Sequence, residues 1–364
     1  MRIRHLVLFV LIVVVQFGIF EVALRSWGSS EAAPSFQGLF EPDATIGYRL
    51  KPHARTRFTT TEFSADIAIN GAGLRDEEEL GVKAPDERRI LLLGDSLVLS
   101  VQVPFRQTFG ELLEQQLNSR ASGVHYRVIN GGVQGYGPVE EQLFFRSIVD
   151  TVRPDLVLPV VFVGNDAEEA VGSRGKLDPG RPATAVAADS FITRLRRLVR
   201  RSMVLQILRL RVLAVTDRLS PSLAPPEPPL QSYAAQPAPR IADGLAIARQ
   251  AMGDINQTAV AAGARTAIVF MPARFQVDDA DYGRLRDIVD SSGGELLRDS
   301  ASLRFAQALA PLGLPELDVL PALRAALPGP DLFYQETVHL TPRGHEVVAE
   351  ALARFIEDRQ LLPR

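Results

Sequence analysis

Five histidines are the candidate general bases of this chain, which contains no cysteine, so that any nucleophile must be an oxygen or a nitrogen. They are His5, His53, His125, His339 and His345. An oxygen nucleophile needs a base beside it and a group that orients the base. Thr341 and Pro342 are typical of a helix start, which places His339 in the preceding loop and favours it as the base. His345 falls inside that helix, where we expect a surface or half-buried side chain.

Ser96 is the candidate nucleophile. It closes the segment Gly94-Asp95-Ser96, which follows a short apolar run at residues 90–93. Such a run is typical of a buried parallel strand that ends in a turn. Ligands of open α/β sheets bind at the carboxyl ends of the strands, so a serine at this position would face the substrate. Taken alone, the segment is also compatible with a serine that only caps a helix.

Two further polar loops could supply hydrogen-bond donors to a developing oxyanion. Residues 130–135 follow a strand predicted at 126–129, and residues 164–166 follow a buried strand predicted at 156–163. A glycine backbone N–H, an asparagine side-chain N–H and the Ser96 N–H are donors of the kind that acyl transfer requires. We therefore expect serine, glycine, asparagine and histidine to meet at one edge of the sheet.

These four segments together resemble the sequence blocks of the SGNH (GDSL) hydrolase superfamily. The matching blocks are residues 94–96, 130–135, 164–166 and 338–345. The resemblance implies a flavodoxin-like three-layer α/β/α sandwich with a central parallel sheet over residues 88–364. It also implies that Ser96 is the nucleophile, that His339 is the base, and that Ser96, Gly132 and Asn165 form the oxyanion hole, without a cofactor.

The orienting group of the histidine is the one departure from the family pattern. The family carries aspartate three residues before the histidine, and this chain carries Glu336 there. A glutamate is one methylene longer and can still orient an imidazole N–H, as the Ser-His-Glu triads of other hydrolases show. We therefore expect Glu336 to be the third catalytic residue, with Asp331 as the alternative.

Alternating strand and helix patterns predict the parallel sheet that has to position these loops. Helices are predicted at 105–117, 138–152, 241–262, 282–291, 301–312 and 342–358, and strands at 90–93, 126–129, 156–163, 266–271 and 317–320. An insertion at about 167–240 interrupts the alternation. Its residues 192–212 contain seven arginines and no acid, which fits a helix on an anionic membrane surface or one docked on the domain. Its residues 221–240 are rich in proline, as in an extended linker.

The N-terminal segment is predicted to hold the chain at a membrane. Residues 1–25 form a basic start and a long apolar run, as in a single transmembrane helix of the cytoplasmic membrane with the rest of the chain extracytoplasmic, in the periplasm. A cleaved signal peptide is the alternative. Residues 26–87 are expected to form a stalk with short strands. Within it, we expect Arg75 to have a structural role rather than to face the substrate. This layout resembles membrane-anchored bacterial SGNH proteins associated with polysaccharides.

Composition and motifs exclude several other functions. The chain has 364 residues and a net charge of −3, which gives no general attraction for nucleic acid. The glycines around residue 132 do not fit a dinucleotide-binding motif, no phosphate-binding loop motif occurs, and the helix around His345 lacks the second histidine of a zinc protease. We therefore expect no cofactor and no metal.

The sequence predicts a serine-dependent esterase. Its substrate would be an O-acyl ester, such as an acetyl ester of an extracytoplasmic polysaccharide. An O-acyltransferase would use the same serine and histidine, so the sequence leaves that alternative open. A third hypothesis is a non-catalytic, membrane-tethered protein that assembles or binds glycans on a hydrolase fold.

Overall fold

Two short antiparallel hairpins begin the main described part of the chain. The computed structural model describes residues 5, 16, 36, 38–120, 123–176, 230–291, 293–329 and 331–362. β1 (Phe40–Asp43) pairs with β2 (Gly47–Leu50), and β3 (Arg55–Thr59) pairs with β4 (Ser64–Ala68). Alternate residues of β4 are buried, so this hairpin packs one face against the rest of the protein. The described residues from Phe36 onward fall in one compact unit.

A parallel sheet forms the centre of that unit. Its strands are β5 (Glu87–Gly94), β6 (His125–Gly132), β7 (Leu156–Phe162), β8 (Arg265–Thr266), β9 (Ile268–Met271) and β10 (Glu316–Asp318). The order across the sheet is β6-β5-β7-β9-β10, with β8 beside β7, and every pairing is parallel. Every residue of β7 is buried, as expected for a strand covered on both faces. The predicted α/β fold with a central parallel sheet is confirmed.

The helices form two packed groups. The helices of the described residues are α1 (Ser96–Leu99), α2 (Phe109–Arg120), α3 (Pro138–Val152), α4 (Asp166–Ser173), α5 (Pro239–Ala261), α6 (Arg274–Val277), α7 (Asp279–Ser291), α8 (Ser300–Leu309), α9 (Leu320–Ala325) and α10 (Pro342–Asp358). α2 packs on α10, whereas α3 and α4 pack on α5. Because β6 and β7 flank β5 on opposite sides, right-handed crossovers place α2 and α3 on opposite faces of the sheet. The strand order 2-1-3-4-5 along the chain is that of flavodoxin-like folds.

The strand order brings the loops of interest to one edge of the sheet. β5 ends at Gly94, immediately before α1, and its neighbour β7 ends just before α4. The order reverses between these two strands, and such a point is where open α/β sheets bind their ligands. The site predicted from the sequence therefore lies where the topology opens a crevice.

Several elements differ from the sequence prediction. The helices at 138–152 and 342–358 have the predicted bounds, but the strand at 266–271 is divided into β8 and β9. The last strand ends at Asp318, because the Asp318 carboxylate accepts the Leu320 N–H (2.9 Å) and starts α9 there.

The predicted membrane segment (1–25), except residues 5 and 16, lies outside the described residues, as do the basic segment (192–212) and residues 221–229 of the proline-rich segment. Among the helices that are described, none is both long enough and apolar enough to span a bilayer.

Candidate active site

Ser96 lies in a tight turn between a buried strand and a short helix. Asp95 is the N-cap of α1, and its carboxylate accepts the Leu97 N–H (2.8 Å). The helix ends after one turn at Ser100, which adopts a left-handed conformation with φ 54°. A side chain at Gly132 would collide with this helix, since its Cβ would lie 2.2 Å from the Leu99 nitrogen. The backbone of β6 thus supports the turn directly, and Ser96 remains 8% exposed.

His339 faces Ser96 across the carboxyl edge of the sheet. The His339 Nε2 lies 3.0 Å from the Ser96 Oγ, although 243 residues separate them in the chain. Its loop is closed by two hydrogen bonds, from Tyr334 N–H to the His339 carbonyl and from Thr341 N–H to the Leu332 carbonyl (both 3.0 Å). Burial lowers the pKa of His339 to about 4. The imidazole is therefore neutral at pH 7 and can accept the serine proton.

Glu336 is not placed behind His339, so the expected contact is not formed. The Glu336 carboxylate accepts the Thr61 hydroxyl (2.9 Å), and the Glu336 N–H donates to Glu62 (2.9 Å). Both partners belong to the turn between β3 and β4, which draws the glutamate towards the N-terminal hairpin. Within the described part of the chain, the buried Nδ1 of His339 has no hydrogen-bond partner. The serine and histidine are thus observed as a dyad.

Asp331 does not take the place of Glu336. Its carboxylate accepts the Gln335 side-chain amide (3.2 Å), and its side chain is exposed. The alternative orienting residue that the sequence offered is therefore also not at the imidazole.

Gly132 is a less available oxyanion donor than the sequence suggested. Its N–H donates to the Asn130 Oδ1 (3.0 Å), and the Asn130 amide nitrogen donates to the Val98 carbonyl (2.7 Å). Asn130 thereby ties β6 to α1 and occupies the Gly132 N–H. Gly135, in the same loop, has φ +71°, and no acceptor for its N–H is found among the described residues. The Gly135 N–H is therefore not engaged by a described acceptor, in contrast to that of Gly132.

Asn165 is the N-cap residue of α4, directly after β7. One hydrogen of its side-chain amide is donated to the Glu169 Oε1, with an N–O distance of 2.8 Å. An asparagine amide carries two hydrogens, so the second remains free for a ligand. The structure is therefore compatible with the predicted donor role of Asn165.

A group of buried carboxyl groups lies beneath the turn of Ser96, and sequence analysis did not identify it. Burial raises the pKa of Asp95 to about 6, and burial together with Asp95 and Glu140 raises that of Glu169 to about 7. The pKa values of Glu141 and Asp166 are raised further, first by burial and then by the neighbouring acids. Among the described residues, no cluster of acids and histidines has the arrangement of a metal site.

Arg75 and the N-terminal hairpins hold the loops of the site. The buried Arg75 guanidinium donates to the carbonyl oxygens of Leu99 (2.6 Å), Ser100 (2.5 Å) and Val103 (2.7 Å). The Tyr48 hydroxyl donates to the Gln134 carbonyl (2.7 Å) in the glycine loop. The structural role expected for Arg75 is therefore what its contacts show, and the segment before β5 is part of the site's support.

His345 is more buried than expected, with 2% of its surface exposed. Its Nδ1 accepts the Phe109 N–H (3.1 Å) at the start of α2, and its ring stacks on Phe109. Burial lowers its pKa to about 3, so it remains neutral. His345 therefore links α10 to α2 and is not part of the site at Ser96.

The parallel sheet and the Ser96–His339 pair have the arrangement that the resemblance to SGNH hydrolases predicts. Residues 231–364, roughly a third of the chain, match the family described as "SGNH hydrolase-like domain, acetyltransferase AlgX". The match includes His339 and not Ser96. Of the four sequence blocks that carry the predicted resemblance, this match includes the histidine block at 338–345. A search of curated proteins gives no match.

Solved structures with a similar course of the chain include TesA and two esterases. TesA is 14% identical with a TM-score of 0.43, covering 76% of this chain and all of that one. An acetylxylan esterase, Axe2 from Geobacillus stearothermophilus, is 11% identical with a TM-score of 0.41, covering 78% and 99%. The esterase EstA from Pseudoalteromonas sp. is 12% identical with a TM-score of 0.39, covering 75% and 98%.

Proposed function

We propose that this chain is a serine-dependent SGNH-type ester hydrolase that acts on O-acyl esters, such as acetyl esters of an extracytoplasmic polysaccharide. The observation that carries the proposal is the 3.0 Å contact between the Ser96 Oγ and the His339 Nε2. A hydroxyl becomes a nucleophile when a neutral imidazole can accept its proton, and burial keeps this imidazole neutral.

The reaction follows from the position of the groups. His339 takes the Ser96 proton as the Ser96 Oγ attacks the ester carbonyl carbon. The Ser96 N–H, the free Asn165 amide hydrogen and the Gly135 N–H are the donors proposed for the resulting oxyanion. The imidazolium then gives its proton to the departing alkoxide, which leaves an acyl-serine. His339 next deprotonates a water molecule, which attacks the acyl carbonyl. The imidazolium then returns this proton to the Ser96 Oγ as the acyl–oxygen bond breaks, which releases the acid and the free serine.

An acyltransferase differs only in the final acceptor. If a sugar hydroxyl takes the place of water, the acyl group is transferred to a glycan and the same residues act. The acetyltransferase named in the matching family supports this second candidate. The hydrolase and the transferase would both use the Ser96–His339 dyad.

A place at the membrane is part of the proposal. The apolar run within residues 1–25 supports a single-pass anchor in the cytoplasmic membrane, with the catalytic domain in the periplasm. The arginine-rich segment 192–212 would be a second contact with the membrane surface.

Labelling of Ser96 tests the proposed chemistry. The full chain is treated with a fluorophosphonate probe, and the labelled peptide is identified by mass spectrometry. We expect modification at Ser96, because only a serine with an adjacent base reacts rapidly. The exposed Ser119 on α2 is the internal control and should remain unlabelled. An unmodified Ser96 would contradict an enzymatic function and favour the non-catalytic, glycan-binding alternative.

Acyl balance on an acetylated polysaccharide distinguishes the two enzymatic candidates. A hydrolase releases free acetate in water and lowers the acetyl content of the glycan. A transferase moves the acetyl group from a donor ester to an unacetylated glycan, so that the acetyl content rises while little free acetate forms.

A further inference from the structure

Glu169 contacts a proposed oxyanion donor and is not itself part of the proposed reaction. It lies on α4, one helical turn after Asn165, and its Oε1 accepts the Asn165 amide at 2.8 Å. Gly137, at the start of α3, leaves room for it, since a Cβ there would lie 3.0 Å from the Glu169 Cβ. α3 and α4 therefore approach each other closely at Glu169.

The Glu169 Oε1 accepts the Asn165 amide hydrogen in the ionised carboxylate and, as the carbonyl oxygen, in the protonated acid as well, and this contact fixes the orientation of the asparagine amide. Glu169 selects the nitrogen of the amide and not its oxygen. The second hydrogen on the same nitrogen then keeps one direction. Without Glu169, the amide could rotate by half a turn and present its oxygen to the oxyanion, which would repel it.

A purely structural role explains the burial of Glu169 poorly. Its Oε2 and the Asn165 Oδ1 are both buried, and neither has a hydrogen-bond partner among the described residues. Unpaired buried acceptors cost free energy, and an apolar side chain at position 169 would avoid part of that cost. A polar pair that is held at such a cost is typical of functional sites.

We propose that Glu169 is a positioning residue that aligns the Asn165 amide for the oxyanion. This inference rests on the proposed function and adds a residue that acts through Asn165. It predicts that the acceptor oxygen of residue 169, and not its charge, supports turnover.

Two substitutions at Glu169 separate the acceptor from the charge. Glu169→Ala removes the acceptor and should lower kcat about tenfold for a short acyl ester, with KM changed less than twofold. Glu169→Gln keeps an acceptor oxygen, and its amide can donate to the unpaired Asn165 Oδ1, so at least half of the wild-type kcat should remain. Glu168→Ala, on the same helical turn, is the matched control with wild-type kcat. If the alanine variant fails to fold, as judged by thermal unfolding, Glu169→Leu of similar volume replaces it.

A double-mutant cycle with Asn165→Ala tests whether Glu169 acts through Asn165. We expect the Glu169→Ala substitution to have no further effect once Asn165 is absent. Additive losses, a wild-type kcat in Glu169→Ala, or a Glu169→Gln variant as slow as the alanine variant would each overturn the inference. The proposed function fails separately, if the wild-type chain neither hydrolyses the ester nor is labelled at Ser96.

Discussion

The two halves of the dyad are held in different ways. Ser96 is fixed by the strand before it and by the one-turn helix it begins, within a segment whose residues from Leu91 to Val103 are all buried. His339 lies in a partly exposed loop whose other contacts come from distant parts of the chain. Those contacts are Glu62, which accepts the Gln335 N–H (2.6 Å), and Arg274, which donates to the Tyr334 and Gln335 carbonyl oxygens (both 2.8 Å).

This difference separates what local sequence determines from what the whole fold determines. A turn between a strand and a helix follows from a few neighbouring residues, so the position of the nucleophile is a local property. The position of the histidine depends on a hairpin nearly 280 residues away, since Thr61 and Glu336 are 275 positions apart. We expect changes on the serine side to have larger effects than changes on the histidine loop.

Removal of the nucleophile should give the largest effect on either side. Ser96→Ala should lower kcat/KM for a short acyl ester by more than about 1,000-fold, because no acyl-enzyme can form. The free energy of unfolding should change little, since only one oxygen is removed. Ester hydrolysis and chemical denaturation measure the two quantities, with Ser119→Ala as the control. Turnover by the Ser96→Ala variant above one-hundredth of the wild-type rate would refute the role of Ser96.

The support of the serine turn should give the next largest effect, on stability. Arg75→Met leaves three buried carbonyl oxygens without their donor and should lower the free energy of unfolding by about 3 kcal/mol. Arg106→Met is the matched control, since Arg106 is exposed and makes one long ion pair with Glu77 (3.4 Å). Its effect should stay below about 0.5 kcal/mol. Equal denaturation curves for the two variants would show that the turn does not need Arg75.

The sequence alone predicts most of the elements that position Ser96. An apolar run ending in glycine predicts β5 and the turn of Ser96, and Thr341 with Pro342 predicts the start of α10. The sequence does not identify which backbone N–H groups are free to bind the oxyanion, because a motif does not reveal hydrogen bonds such as that from Gly132 to Asn130. Nor could it place Glu336, whose partner Thr61 lies in a hairpin that local patterns did not connect with the last loop. Long-range contacts, and not propensities, decided those positions.

The protonation of His339 gives a smaller effect that tests the environment of the histidine loop. NMR resonances of His339 should titrate with a pKa of about 4, because burial disfavours the charged ring. The neutral ring is the base, so this lowered pKa keeps His339 competent at pH 5, where a histidine of pKa about 6.5 would have lost more than nine-tenths of its neutral form. His339→Gln assigns the resonances. A pKa above about 6.5 would contradict the unpaired Nδ1 and indicate a carboxylate behind the ring.

Substitution of Glu336 should give the smallest effect and decides between the dyad and a triad. Because Glu336 binds Thr61 and not His339, Glu336→Gln should lower kcat/KM less than about fivefold, and Thr61→Val should behave in the same way. A triad aspartate or glutamate would cost far more, since its loss leaves the histidine without its orienting group. If Glu336→Gln loses more than about 50-fold while Thr61→Val remains active, the glutamate must leave the hairpin and reach His339 during turnover. In that case the N-terminal hairpin would hold the orienting residue away from the base in the resting protein, and Thr61→Val, which releases it, should be faster than the wild type.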